Sequence, residues 1–167
     1  LLDHCRSTGT WILADEVYER LYYEPTPNGC APSFLDIAAP DDHLIVAHSF
    51  SKSFLMTGWR LGWLVLPPAL VDGMGKLIEF NTSCTSVFTQ RAGIAALTRT
   101  DEVTPRVVAH LKHCRDTLVP LLATLPGVRV ASAKGGMYAF FQLDGASDSL
   151  DTAKRLVTEA GLGLAPG

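Results

Sequence analysis

The sequence predicts an α/β protein: a layered α/β unit to about residue 108, followed by a smaller α+β unit over 109–167. Three observations carry that prediction. Short apolar runs of strand length alternate with polar and helical stretches up to about residue 108. A long helical pattern over 101–124 then breaks the alternation, and two strand-like runs and one more helix follow it. The composition, 47% apolar and 19% charged over 167 residues, is that of a globular chain long enough to bury a sizeable core.

Each element has its own signal. "LLDHCRSTG" reads as the last turns of a helix closed by Gly9, and "WILAD" as a short strand buried on both faces. Residues 19–42 hold four prolines and an Asn28-Gly29 pair, which marks a long irregular connection. "HLIVAHS" is a second buried strand and "RLGWLVL" a third, stopped by Pro67-Pro68. Helical periodicity follows at about 69–80, 87–99 and 101–124. Pro105 fits the first turn of the last of these, and Pro120 should kink it or cut it short. "VRVAS" and "MYAFFQL" then read as strands joined through Gly135-Gly136, with Met137, Tyr138, Phe140 and Phe141 mostly in the core, before a helix at about 149–160.

Several function classes are disfavoured. A formal net charge of −3 without a basic stripe makes nucleic acid a poor partner. No apolar run approaches the roughly 20 residues that span a bilayer, and no signal-peptide pattern opens the chain, so the expected location is the cytoplasm, away from membranes. The scattered Cys5, Cys30, Cys84 and Cys114 suit free thiols, and His110 with Cys114 lacks the second pair of ligands a metal site needs. His4, His43, His48 and His113 read as ordinary surface or core-edge residues, and Asp41 and Asp42 as solvated surface.

In open α/β sheets, ligands bind beyond the carboxyl ends of the strands. After "WILA" comes Asp15-Glu16-Val17-Tyr18, and after "HLIVAH" comes Ser49-Phe50-Ser51-Lys52, so both strand ends bring polar side chains to one rim. Arg60 follows eight residues past Lys52, with Trp59 and Trp63 read as packing on either side of it. Asn81 and Thr82 follow a helix and could line the entrance, although a helix C-cap explains Asn81 as well. The lysine has no G-x-x-x-x-G-K context, which leaves a nucleotide phosphate loop unsupported.

The order D-x-x-Y, S-x-S-K and R in "ILADEVYERLYYE" and "SFSKSFLMTGWRLGWLV" resembles the fold type I pyridoxal phosphate enzymes, and within them the class I/II aminotransferases. "NTSCTSVFTQRAGIAAL" and "GVRVASAKGGMYAFFQL" resemble that family's following helices and the opening of its small domain. The resemblance implies a three-layer α/β/α architecture. Residues 1–108 would be the C-terminal part of the cofactor-binding large domain, and 109–167 the linking helix and first part of the small α+β domain. It implies pyridoxal 5'-phosphate held as a Schiff base by Lys52, with apolar Phe50, Phe54 and Leu55 around the amine. Asp15 would be the buried carboxylate that keeps the ring nitrogen protonated, and Tyr18 the donor to the phenolate oxygen. Arg60 and Ser49, with Ser51 as a second hydroxyl, would hold the phosphate, because guanidinium matches its oxygens two at a time.

The implied reaction is transfer of an amino group from an amino acid to a 2-oxo acid, in a homodimer. A lyase or decarboxylase on the same scaffold and a non-catalytic ligand-sensing domain are the alternatives. The family's glycine-bearing phosphate loop, ring-stacking aromatic, Asn-Pro motif and substrate-clamping arginine have no counterpart in these residues. The chain therefore reads as part of a larger aminotransferase, and the 167-residue piece alone is expected to aggregate or to bind cofactor poorly.

Overall fold

The computed structural model describes residues 1–167 and divides them into two compact units, 1–113 with 134–137 and 114–133 with 138–167. In the first unit, helix α1 (Leu2–Thr8) ends where Gly9 turns left-handed at φ 68°. Strand β1 (Ile12–Asp15) runs parallel to β2 (Leu44–Ser49), from Ile12 beside Leu44 to Asp15 beside Ala47. Strand β3 (Gly62–Val65) returns antiparallel to β2, with Ser49 beside Gly62, so the sheet order is β1-β2-β3.

A parallel pair needs a long crossover, usually a helix. Here the proline-rich segment supplies it with a single 3-10 turn, Phe34–Asp36, closed by a reciprocal bond between Ser33 and Asp36. The Glu16 carboxylate anchors this crossover to the end of β1, accepting from the Ser33 hydroxyl at 2.5 Å and the Phe34 amide at 3.0 Å. The crossover is less irregular than its sequence suggests. Tyr22 bridges Gly135, Tyr23 donates its amide to the Lys134 carbonyl at 2.8 Å, and the Tyr23 hydroxyl donates to the Gly136 carbonyl.

The core has two parts. Leu2, Cys5, Ile12, Ala14, Leu44 and Val46, with Phe34 and Ala38, bury one face of the sheet. Phe50, Phe54 and Met56, with Leu61, Ala92 and Ala96, form a second cluster beneath the turn that follows β2. The other face of β1 is open: Leu13 is 72% exposed, and every residue of β3 is exposed. Burial on both faces therefore does not hold in these residues, because only one layer packs on the strands.

Helix α2 (Val71–Thr82) continues through Asn81 and Thr82, so these residues form its last turn, and Ser83 closes it at φ 60°. Helix α3 (Val87–Thr98) agrees with its periodicity. Helix α4 (Thr100–Ala123) is one 24-residue element that passes through both prolines. Neither proline can donate to the carbonyl four residues earlier, at Asp101 and Asp116, and both of those residues are exposed. Strand β4 (Val128–Val130) pairs antiparallel with β5 (Phe141–Leu143), and α5 (Ser149–Ala160) starts on the Asp148 side chain, which accepts from the Asp151 amide at 2.9 Å.

Strand β5 is shorter than the "MYAFFQL" run. Met137, Tyr138 and Phe140 are exposed, not core, because Gly135 and Gly136 are paired back on Leu21–Tyr23 and take the chain out of register before residue 141. Asp42 also departs from its expected solvated state. Arg6 grips it with two bonds, Nε to Oδ1 at 2.8 Å and Nη2 to Oδ2 at 2.7 Å, and its side chain is only 8% exposed.

Candidate active site

Side chains alternate along strands, and residues in register face the same side. Asp15 pairs with Ala47, two residues before Ser49, so Asp15 and Ser49 share the open face at the carboxyl ends of β1 and β2. Asp15 is exposed, in contrast with the buried carboxylate expected, because no layer covers that face in these residues. Its Oδ1 accepts from the Val17 amide at 3.4 Å, which starts the turn carrying Tyr18.

The Lys52 turn is built from its own backbone. Phe50 donates to the Leu61 carbonyl at 3.1 Å, Leu55 to Lys52 at 3.2 Å and Met56 to Phe50 at 3.3 Å. The Ser49 hydroxyl accepts from the Ser51 amide at 3.0 Å and reaches the Leu61 carbonyl at 3.4 Å, so it braces the turn from inside. Phe50 and Phe54, on either side of Lys52 in the chain, are buried, whereas Leu55 points to solvent at 68% exposure. Leu55 and Arg60 adopt left-handed backbone, with φ 55° and φ 53°. Side-chain-bearing residues rarely tolerate this conformation, and it concentrates at functional sites.

The structure brings Lys52 to Tyr18, with Nζ 5.7 Å from the centre of the phenol ring. That lies within cation–π range, so the amine of one strand-end loop faces the phenol of the other. Both Ser51 and Lys52 are half-buried. Arg60 is exposed, and its Nη1 donates to the Thr57 carbonyl at 2.9 Å. This uses one of five guanidinium donors and orients the remainder. Trp63 does not flank Arg60: it stacks on His48, with centroids 4.9 Å apart, and meets Phe50 edge-on at 5.3 Å. Gly62 permits that approach, since a Cβ there would lie 2.5 Å from the His48 carbonyl oxygen.

The ends of β1 and β2 thus bring the Lys52 amine to the Tyr18 phenol and set the Asp15 carboxylate and the Ser49 hydroxyl on one face of the sheet, while the Arg60 guanidinium and the Ser51 hydroxyl lie on the chain segment that follows β2. That donor set suits a phosphorylated aldehyde with a basic heteroaromatic ring. The amine can condense with the aldehyde, the carboxylate can pair with a protonated ring nitrogen, and the guanidinium and hydroxyls can receive phosphate oxygens. Sequence reasoning did not single out Glu19 and read His48 as an ordinary surface or core-edge residue, yet their side chains face each other, with Oε2 and Nδ1 3.8 Å apart. The strand period carried the signal for His48, which falls on the same face as Leu44 and Val46.

Residues 1–167 match the family described as aminotransferase class I and II. The chain is 33% identical over 171 residues to an aspartate aminotransferase of Pyrococcus horikoshii, covering all of this chain and 42% of that protein. It is 31% identical over 167 residues to an LL-diaminopimelate aminotransferase of Nitratidesulfovibrio vulgaris, covering 100% of this chain and 42% of that protein. Among solved structures, the aspartate aminotransferase of Thermotoga maritima superposes with a TM-score of 0.83 at 28% identity, over 99% of this chain and 41% of that one. The chain therefore spans about two fifths of the length of these relatives.

Proposed function

We propose, from the premise that this chain belongs to the class I and II aminotransferase family, that it carries the lysine half of a site moving an amino group from an amino acid to a 2-oxo acid. Pyridoxal 5'-phosphate would be the cofactor, and when bound it supplies the electron sink that lets the substrate α-carbon give up a proton. The observation that supports this reading most is Lys52 Nζ facing the Tyr18 ring at 5.7 Å, at the ends of two paired parallel strands.

The residues divide the work. Lys52 holds the cofactor through its amine and, once released, takes and returns the proton at the substrate α-carbon. Its half-buried position limits water around the side chain. Asp15 keeps the ring nitrogen protonated, and Tyr18 donates to the phenolic oxygen. Arg60 receives the phosphate with its outward donors, Ser49 shapes the turn and offers its hydroxyl, and Ser51 is the second hydroxyl. The names of the relatives favour amino transfer over the lyase, decarboxylase and sensor readings. The partners in this reading are an amino acid, a 2-oxo acid and a second copy of the chain.

The test uses the intact protein with pyridoxal phosphate and a panel of amino acids, following visible absorbance and 2-oxo acid formation. Wild type is expected to gain a visible band and release 2-oxo acid, and Lys52→Ala to lose both. Normal cofactor cycling by Lys52→Ala would overturn the proposal.

A further inference from the structure

We infer that Glu19 and His48 form a buried, proton-sharing pair that positions the Tyr18 phenol over the Lys52 amine. The inference rests on the cofactor reading above and adds two positioning residues to it. Glu19 directly follows Tyr18, and His48 directly precedes Ser49, so the pair joins the two strand ends that carry the site. The Glu19 and His48 side chains are 13% and 9% exposed, and Glu19 Oε2 lies 3.8 Å from His48 Nδ1. Neither atom has a hydrogen-bond partner, although both are cut off from solvent.

An unpaired buried polar atom is costly, and two of them facing each other identify the remedy. A proton on His48 Nδ1, with closure of about 1 Å to ordinary charge-assisted distance, satisfies both at once. The imidazole plane is already set, since it stacks within 19° of parallel on Trp63. Burial pushes the Glu19 carboxyl up, while His48 and Arg20 oppose that shift, which suits a carboxyl that shares a proton. The other charged group beside Glu19 is Arg20, whose buried Nε also lacks a hydrogen-bond partner and lies 3.5 Å from Oε1.

The pair can act on Tyr18 because the backbone there is short and tied. Glu19 donates to the Glu16 carbonyl at 3.0 Å and Leu21 to the Tyr18 carbonyl at 2.8 Å, while Ala31 donates to Glu19 at 2.7 Å. Holding the Glu19 side chain against β2 therefore fixes the turn in which Tyr18 sits.

The test compares wild type with Glu19→Gln, Glu19→Ala, His48→Ala and the Glu19→Ala/His48→Ala double variant. Without cofactor, the 15N spectrum of the His48 imidazole is expected to show Nδ1 protonated and hydrogen-bonded in wild type, with that bond lost in Glu19→Ala. With pyridoxal phosphate bound, the titration midpoint of the chromophore is expected to move by about one unit in each alanine variant. The double variant should move it no further than either single change, and Glu19→Gln should move it in the same direction by less. If the alanine variants fail to fold by circular dichroism, Glu19→Gln decides, and an unchanged midpoint overturns the inference. An unprotonated Nδ1 in wild type, or strictly additive shifts, also overturns it. Absence of any chromophore in wild type overturns the cofactor reading and the positioning role with it, whereas a normal chromophore with unmoved midpoints overturns the positioning role alone.

Discussion

At the scale of single residues, the site depends on how closely the backbone can approach it. Gly62 lies opposite Ser49, and a Cβ there would meet the His48 carbonyl oxygen at 2.5 Å, which is backbone and cannot swing aside. Gly58, two residues before Arg60, has nothing within 4 Å of where its Cβ would be. Gly62→Ala is therefore expected to cost about 1–3 kcal/mol in denaturant unfolding, through overpacking. Gly58→Ala should stay within about 0.5 kcal/mol, as an exposed change does. Equal effects of the two would contradict this account of the turn. The strand-end placement of Asp15, Tyr18 and Lys52 was legible in the sequence, since these residues close or closely follow β1 and β2, and the roles given to them and to Arg60 belong to the proposed function. The pairing of Glu19 with His48 was not legible, because His48 reads as an ordinary histidine by itself and only the fold brings the two side chains together.

At the scale of elements, periodicity located the strands and helices but not how they are tied. Pro120 of α4 illustrates the limit: the local rule predicts a kink or a stop, yet the carbonyl it cannot bond belongs to exposed Asp116 and the helix runs on to Ala123. The Arg6–Asp42 clasp was equally invisible, because it joins α1 to the residues before β2 across 36 positions. Its carboxylate also accepts from the Ala39 amide at 2.7 Å. The Arg6 bonds, then this amide, pull the Asp42 carboxyl from its ordinary 3.8 down to about 2. The sign follows from linkage. A carboxyl with a lowered folded-state value stabilises the fold above its unfolded value, and that contribution disappears as pH falls through the folded one. Melting curves of wild type and Asp42→Asn should therefore differ most above pH 4, with wild type the more stable, and converge as the pH drops from 3.8 toward 2. A difference that persisted unchanged to pH 2 would show that the carboxylate charge is not what matters.

At the scale of the whole molecule, two paired strand ends bring the Lys52 amine to the Tyr18 phenol and set Asp15 on the open face of β1, on a sheet whose second face is uncovered. Phe80 is 96% exposed and Phe88 73%, and with Leu13 they expose apolar surface that stable monomers rarely leave open. The 167-residue polypeptide is accordingly expected to self-associate in light scattering as its concentration rises. Phe80→Ser with Phe88→Ser should reduce that association without lowering the melting temperature, and an ideal monomer at all concentrations would contradict it. No helix is long and apolar enough to cross a membrane. The central claim is that Lys52, among all the lysines, forms the covalent link to the cofactor. Borohydride reduction of the protein loaded with pyridoxal phosphate, followed by peptide mapping by mass spectrometry, tests it most directly. The account predicts a pyridoxyl group on the peptide containing Lys52 and on no other; a label on Lys76, Lys112, Lys134 or Lys154 instead, or no label at all, would contradict it.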